Sequence, residues 1–228
     1  MDNSNLKNDP DNPVMVIAID GPSASGKSTN ARMVAAALGF WHVDTGAMFR
    51  TLSWYCLKKG IDPSDTEAVE TLCHNWPAEL KAEAGRIFLV VDGYEPAEEI
   101  RQDAISAIVS KVATAAKARE WMKQTQRDCI QFGSLVMEGR DIGSHIFPAT
   151  PYKFYLQASL AERNRRRVAE GSQDDLSARD KMDSGRKVAP LQIAEGAVVL
   201  DNTGQTPEQS RDHILQEIER INYRMSPS

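Results

Sequence analysis

Residues 21–28 read Gly-Pro-Ser-Ala-Ser-Gly-Lys-Ser and fit the phosphate-binding pattern Gly-x-x-x-x-Gly-Lys-Ser/Thr. Glycines at these places let the backbone turn its N–H groups toward a bound phosphate. The Lys27 amine can reach the β and γ phosphates of a nucleotide, and the Ser28 hydroxyl can bind Mg²⁺. A helix that starts here would also point the positive end of its dipole at the anion. The segment therefore predicts a nucleoside triphosphate site.

The flanking residues provide the strand and the helix that such a loop needs. Residues 14–19 form an apolar run suited to a buried parallel strand, and residues 30–38 are good helix formers followed by Gly39. An ordinary Gly/Ser turn is the alternative. Strand, loop and helix in this order are the context that favours the phosphate site over it.

Three further apolar runs end in polar residues. They are followed by Asp44-Thr45, by Arg140-Asp141 and by Asp201. Strands that alternate with helical sequence predict an α/β fold with a doubly wound parallel sheet covered on both faces. The carboxyl ends of such strands lie at one edge of the sheet, where ligands bind. We therefore expect these side chains to lie close to the phosphate loop.

The pattern of the chain also predicts its subdivisions. We expect a single domain over about residues 14–226, with an insert over about 63–105 that contains a β-hairpin near residues 86–91. Residues 171–187 are polar, contain Gly, Ser and Asp, and follow a very basic helix. This stretch is typical of a mobile, partly helical lid.

Size, charge and cysteine content exclude several classes of protein. The chain has 228 residues, 41% of them hydrophobic, and a net charge of −5. That fits one globular domain and argues against a nucleic-acid partner. No apolar run approaches the roughly 20 residues that a membrane span needs. Residues 1–13 lack an apolar core and predict a disordered tail, not a signal peptide. Three scattered cysteines are typical of reduced thiols in a cytoplasmic protein.

Three classes of phosphate-loop protein compete at this point. A GTP switch would carry an Asn-Lys-x-Asp guanine reader, which this sequence lacks, and a hydrolytic motor would carry an apolar strand that ends in Asp-Glu. Here the corresponding strand leads to Glu138-Gly-Arg-Asp, which offers arginine for a second phosphate and no evident residue to activate water. A kinase acting on a small anionic acceptor fits best.

Taken together, several segments resemble the cytidylate kinase family, the bacterial (d)CMP kinases of the nucleoside monophosphate kinase group. The segments that carry the resemblance are residues 19–29, 44–50, 138–143, 162–167 and 179–191. The resemblance implies transfer of the γ-phosphoryl group of ATP to CMP or dCMP, with Mg²⁺ as cofactor. We expect a cytoplasmic monomer without nucleic-acid or membrane partners. A kinase for UMP or another anionic acceptor, and a binding module without transfer activity, remain alternatives.

The resemblance also implies roles for individual residues. The expected ATP-binding residues are Gly21, Pro22, Ser23, Ala24, Ser25, Gly26, Lys27, Ser28 and Thr29, with Arg163 and Arg167. The expected CMP-binding residues are Arg50, Arg140 and Arg186 at the phosphate, Thr45, Ser110, Arg119 and Asp141 at the base, and Arg179 and Asp183 at the ribose. Lys27, Arg140, Arg163 and Arg179 are the expected catalytic residues, and Ser28 is the expected Mg²⁺ ligand.

Simpler interpretations stay open for some of these residues. Asp141 could instead pair with Arg140 or cap a helix, and Arg119 could be a surface charge. The chain also departs from the family at Phe49, where Tyr is usual, although we expect that position to touch no assigned role.

Overall fold

The computed structural model describes residues 14–169, 171, 175–186 and 188–225. The predicted tail at residues 1–13 lies outside the described residues, and so do parts of the predicted lid.

A seven-stranded sheet forms the centre of the fold, with the strand order β3-β4-β2-β5-β1-β6-β7. The strands are β1 Val16–Asp20, β2 Trp41–Asp44, β3 Ala78–Glu83, β4 Arg86–Val91, β5 Leu135–Gly139, β6 Lys153–Gln157 and β7 Val198–Asp201. Every neighbouring pair is parallel except β3 and β4, which are antiparallel. The predicted doubly wound parallel sheet is confirmed, with one antiparallel strand at its edge.

Helices connect the strands and cover both faces of the sheet. They are α1 Lys27–Leu38, α2 Thr45–Lys58, α3 Thr66–Asn75, α4 Asp103–Val112, α5 Ala116–Asp128, α6 Leu160–Ala169, α7 Leu176–Ser184 and α8 Pro207–Met225. A π-helical turn, Ile142–Ile146, follows β5. Among the described residues no helix is both long and apolar enough to cross a bilayer.

The predicted hairpin forms, and it extends the main sheet. Strands β3 and β4 pair in register, and β4 pairs in parallel with β2. The two-residue turn at Ala84 and Gly85 has positive φ at both positions (50° and 76°), as a tight hairpin requires. Helix α3 is capped by Asp65, whose side chain accepts a hydrogen bond from the Ala68 amide.

Two apolar layers hold the central strands in place. Side chains alternate along β1 and β5, so that Ala18 and Met137 join the layer with α2 and α5, whereas Ile17 and Val136 join the layer with α1 and α8. All residues of β1 and β5 are buried. A strand buried on both faces is held rigidly, and this fixes the polar residues that follow each strand.

Candidate active site

A cleft of about 450 Å³ lies along the carboxyl ends of β1, β2 and β5. The expected site residues that line it are Ser23, Ala24, Gly26, Lys27, Ser28, Thr29, Thr45, Arg50, Ser110, Arg119, Arg140, Asp141, Arg167, Arg179, Asp183 and Arg186. Gly21, Pro22, Ser25 and Arg163 are not among its lining residues. The fold therefore brings most of the predicted donor and acceptor residues into one space.

The phosphate loop owes its path to two of its glycines. Gly26, the residue before α1, has φ 86° in the left-handed region and has no side chain to cap the first amides of that helix. A Cβ atom at Gly21 would lie 2.1 Å from the Leu156 carbonyl oxygen, so the close approach of loop and β6 requires glycine there. Both features leave the start of α1 facing the cleft.

Lys27 is buried at the base of the loop. Its Nζ donates a 3.0 Å hydrogen bond to the Pro22 carbonyl oxygen. The pKa of its amine falls from 10.5 to about 7, chiefly because the amine is buried and also because Arg140 is positively charged, while nearby carboxylates oppose the shift. In this structure the amine is bonded to a neutral carbonyl group, and a bound phosphate would be a stronger partner because it is anionic.

Glu138, at the end of β5, was not assigned a role from the sequence. Its Oε2 accepts a 2.7 Å hydrogen bond from the Ser28 hydroxyl, and the side chain is only 2% exposed. Its Oε1 is buried without a hydrogen bond, 3.4 Å from Nε2 of His42. The strand ending in Glu was the signal that could have indicated it.

These oxygen atoms fit a magnesium ion that arrives with a nucleotide. Mg²⁺ prefers one or two carboxylate or hydroxyl oxygens and takes its other ligands from phosphate and water. The Ser28 hydroxyl and the buried Glu138 carboxylate, whose Oε1 has no hydrogen bond, supply such oxygen atoms. In the described ranges no three His, Cys, Asp or Glu side chains cluster as an all-protein metal site.

Asp183 of α7 lies between two of the expected acceptor arginines. Arg140 Nε donates to its Oδ2 at 2.8 Å, and Arg186 forms an ion pair with its Oδ1. Burial alone would raise the pKa of this carboxyl, but the two arginines outweigh burial and hold it below its usual value. The carboxylate therefore orders two guanidinium groups at the cleft wall.

Arg50 enters the cleft from α2. Its Nη1 donates to the Ile100 carbonyl oxygen at 3.0 Å and to the Ser106 hydroxyl at 2.9 Å. Burial lowers its pKa to about 10, and Arg179 and Arg101 add repulsion. Thr45, one turn before it, donates from Oγ1 to the Glu138 carbonyl oxygen at 2.7 Å and ties α2 to β5.

Arg119 and Asp141 form a buried ion pair at the far end of the cleft. Arg119 Nη2 donates to Asp141 Oδ2 at 2.8 Å, and both residues are less than a tenth exposed. The interpretation of Arg119 as a surface charge is therefore wrong, and so is a pairing of Asp141 with Arg140. Arg119 also lies over the ring of Phe49 at 5.6 Å, so Phe49 touches this pair against expectation.

Arg163 lies behind the phosphate loop. It donates to the Ser23 carbonyl oxygen at 3.1 Å and to the Ala158 carbonyl oxygen at 3.2 Å, and it pairs with Asp180 of α7. Asp180 also accepts a 3.3 Å hydrogen bond from the Ser23 amide. These contacts link α6, α7 and the loop.

A profile of the family described as cytidylate kinase matches residues 17–220 of the chain. The chain belongs to the cytidylate kinase family.

Individual members show the same extent of similarity. The cytidylate kinase of Symbiobacterium thermophilum is 40% identical over 90% of this chain and 96% of its own length. That of Oceanobacillus iheyensis is 41% identical over 91% of this chain and 95% of its own. That of Geobacter sulfurreducens is 37% identical over 93% and 96%, respectively.

In this cytidylate kinase-family chain the cleft is basic although the whole chain is acidic. Among the described residues that line it, eight are Lys or Arg and five are Asp or Glu, whereas the net charge of the chain is −5. Such a concentration of guanidinium groups suits anionic ligands, because they bind phosphate oxygens in pairs and stay charged.

One further residue of this family member, Asn202, was missed by sequence reasoning. Asn202, just after β7, donates from Nδ2 to the Ser25 carbonyl oxygen at 2.8 Å and accepts from Arg166 at 3.2 Å. No local pattern marks it, because its partners are distant in sequence. Arg101, which the family resemblance suggests as an extra contact from the insert, pairs with Asp44 at 3.3 Å at the cleft rim.

Proposed function

We propose that the protein transfers the γ-phosphoryl group of ATP to CMP or dCMP, giving ADP and the corresponding diphosphate. One observation carries the proposal. A phosphate loop with its buried lysine opens into the same cleft as several arginines and a buried Arg119–Asp141 pair. Donor and acceptor can therefore bind next to each other in one cleft.

The donor half comprises the phosphate loop and the start of α1. Its amides and Lys27 bind the β and γ phosphates, and Arg167 adds positive charge from α6. Ser28, backed by Glu138, would hold the magnesium ion, which supplies positive charge beside the transferring phosphate. Arg163 supports the loop from the side away from the cleft, because it donates to the Ser23 carbonyl oxygen and pairs with Asp180 of α7.

The acceptor phosphate binds to Arg50, Arg140 and Arg186. Arg140 and Arg186 already share an anionic partner in Asp183. A phosphate can therefore bind the same two guanidinium groups, either beside that carboxylate or in its place. Asp183 and Arg179 then face the ribose. The charge of the bound phosphate is thus met by guanidinium groups that are already in place at the cleft wall.

Phosphoryl transfer at this site needs no general base. The nucleophile is a phosphate oxygen of CMP that is already anionic, and it attacks the γ-phosphorus as the bond to the ADP oxygen breaks. Positioning and electrostatic stabilisation supply most of the rate enhancement of such reactions. Lys27, Arg140 and Arg179 provide positive charge around the group in transfer.

Selection of the base follows from donor and acceptor patterns at Arg119 and Asp141. A carboxylate only accepts, so Asp141 pairs with the N4 amino group of cytosine, and Arg119 only donates, so it meets N3 or O2. Ser110 and Thr45 line the same part of the cleft. Uracil would set its O4 acceptor against the Asp141 carboxylate and, where Arg119 meets N3, its N3–H donor against the guanidinium, which disfavours UMP.

A coupled assay of ADP release with ATP, Mg²⁺ and a panel of nucleoside monophosphates tests the proposal. We expect CMP and dCMP to give the highest kcat/KM, with UMP well below them and purine monophosphates lower still. Equal use of UMP, or ADP release that does not depend on any monophosphate, would contradict the assignment.

A further inference from the structure

Asp20, the last residue of β1, is a buried carboxylate to which the proposed reaction assigns no role. It is 3% exposed. Its Oδ1 accepts a 2.9 Å hydrogen bond from the Ile142 amide, and its Oδ2 accepts a 2.8 Å hydrogen bond from the Gly143 amide. These are the first two amides of the π-helical turn after Arg140 and Asp141. Asp20 therefore caps a helical turn that begins on the neighbouring strand.

The residue that would ordinarily cap this turn is Asp141. It holds the N-cap position, and Asp is among the residue types most favoured there because its carboxylate can accept from the first free amides. Its side chain makes no capping hydrogen bond in this structure. Instead it pairs with Arg119 at 2.8 Å. The capping hydrogen bonds come from Asp20.

We propose that Asp20 is a positioning residue for base selection, which caps this turn from β1 and so leaves the Asp141 carboxylate available to the acceptor base. The inference rests on the proposed function, in which Asp141 and Arg119 read cytosine. Without the Asp20 carboxylate, Asp141 can bind the amides of its own turn, and its carboxylate then turns away from Arg119.

The strand order makes this arrangement possible. β1 and β5 are adjacent and parallel, and Asp20 is in register with Gly139, two residues before Asp141. Asp20 also directly precedes Gly21, the first residue of the phosphate loop. One side chain thus links the donor loop to the segment that reads the acceptor.

Burial makes this carboxylate costly to keep. Desolvation raises its pKa from 3.8 to about 6, even though the two amide hydrogen bonds lower it, and Asp141 and Arg140 act on it in opposite directions. Strongly shifted pKa values cluster at functional sites, which fits a role for this carboxylate beyond packing.

The test compares Asp20→Asn and Asp20→Ala with wild type, using kcat/KM for CMP and for UMP. The Asn amide keeps one acceptor oxygen, whereas Ala keeps none. We expect the CMP/UMP ratio of kcat/KM to fall in the Asp20→Asn variant and to fall further in the Asp20→Ala variant. The fall in the Ala variant should be roughly tenfold, as for one misplaced charge-assisted hydrogen bond. Binding of an ATP analogue should be nearly unchanged. A loss that is equal for CMP and UMP would overturn the proposal.

Thr150→Val is the matched control. The Thr150 hydroxyl donates a 2.5 Å hydrogen bond to the Val16 carbonyl oxygen, at the opposite end of the same strand. Its removal should lower the melting temperature and leave the CMP/UMP ratio unchanged. A fall in the ratio for this variant as large as for Asp20→Asn would show a general effect of loosening β1 and would overturn the positioning role.

Asp141→Asn, measured alongside, separates the two proposals. If this variant leaves the CMP/UMP ratio unchanged, Asp141 does not read the base, and the proposed base selection fails together with the inference. If Asp141→Asn lowers the ratio and the Asp20 variants do not, only the inference about Asp20 fails.

A measurement on the wild type alone covers the case in which the Asp20 variants do not fold. Protonation of Asp20 removes one acceptor, so the CMP/UMP ratio should fall as the pH is lowered from 8 to 5.5. The titratable and charged groups that face Asp20 are Arg140, Asp141 and Tyr155. The phosphates of CMP and UMP titrate alike near pH 6 and cancel in the ratio. A ratio that stays constant over this range would contradict the proposal.

Discussion

At the scale of single residues, Lys27 is the side chain on which the donor site depends most. Replacing it with Met removes the charge from the transferring phosphates but preserves a long apolar stem in its buried position. We expect kcat to fall by several orders of magnitude while the melting temperature changes by only a few degrees. Steady-state kinetics and a thermal melt check both. A Met variant with near-normal kcat would show that this loop does not bind the donor.

The lowered pKa of Lys27 predicts a proton uptake when ATP binds. With a pKa of about 7 in the free protein, the amine is largely neutral at pH 8 and largely charged at pH 6. Phosphates favour the charged form and raise this pKa, so ATP binding should take up a proton at pH 8 and much less at pH 6. Calorimetry in two buffers with different ionisation enthalpies measures the uptake.

The control for this titration is Lys27→Arg, which keeps the charge at every accessible pH. We expect no corresponding uptake in the Arg variant. The same uptake at pH 8 in both proteins would mean that another group is titrating.

Arg140 is the residue whose loss should separate acceptor from donor binding. Arg140→Ala removes a guanidinium from the acceptor phosphate and removes one of the ion pairs of Asp183. We expect a higher KM for CMP by a factor of roughly ten to a hundred, as for one charge-assisted hydrogen bond, a lower kcat, and a nearly unchanged Kd for ATP. Arg140→Lys should recover only part of the loss, because it lacks the fork.

Steady-state kinetics with each substrate varied in turn measures the effects of replacing Arg140. An Ala variant with the CMP KM of wild type would remove this residue from the acceptor site.

At the scale of elements, α7 is held to the cleft by charges more than by apolar packing. The buried residues on the helix are Leu176 and Asp183, and Asp180 joins it to Arg163 and the phosphate loop. The attraction within buried ion pairs is largely offset by the cost of removing both charges from water, so such pairs are weak evidence of stability. We therefore expect residues 176–184 to exchange their amide hydrogens much more slowly with CMP and an ATP analogue bound than in the free protein.

Hydrogen exchange followed by mass spectrometry measures this closure. Helix α8, which packs in the apolar layer that contains Ile17 of β1, serves as the internal control. Its amide exchange should change little on ligand binding. Equal exchange of α7 in the free and doubly bound protein would show that this helix does not close on its substrates.

At the scale of the whole molecule, Asp20 links stability to pH. Its pKa is raised from 3.8 to about 6 in the folded protein, so folding favours the protonated form. The stability that wild type has at pH 4 is lost as the pH rises through 6, by up to about 3 kcal/mol from this group. Asp20→Asn cannot ionise and avoids that loss.

Thermal melts of both proteins from pH 4 to pH 8 measure this linkage. We expect the melting temperature of Asp20→Asn, relative to that of wild type, to rise with pH across this range. A difference that is constant with pH would show that the Asp20 carboxyl has its ordinary pKa in the folded protein.

Sequence patterns were sufficient for the parts of the protein that depend on local order. The phosphate loop between an apolar run and a helix was predicted, because the motif, the strand and the helix are consecutive in the chain and the turn at Gly26 is set by its own backbone φ. Alternation of strands with helices predicted the doubly wound sheet, and the rule that carboxyl ends share one edge predicted that residues 44–45 and 140–141 would lie near the loop. The family motifs added the expected roles.

Tertiary structure alone decided which charge meets which. Asp141 pairs with Arg119 and not with its neighbour Arg140, Glu138 meets Ser28 from 110 positions away, and Asp20 caps a turn 122 positions ahead of it. The sequence contains all of these groups but no period or spacing that joins them. Their pairing depends on distances of about 3 Å, which are set by the order and register of the strands and by the packing of α1 and α5 on the sheet.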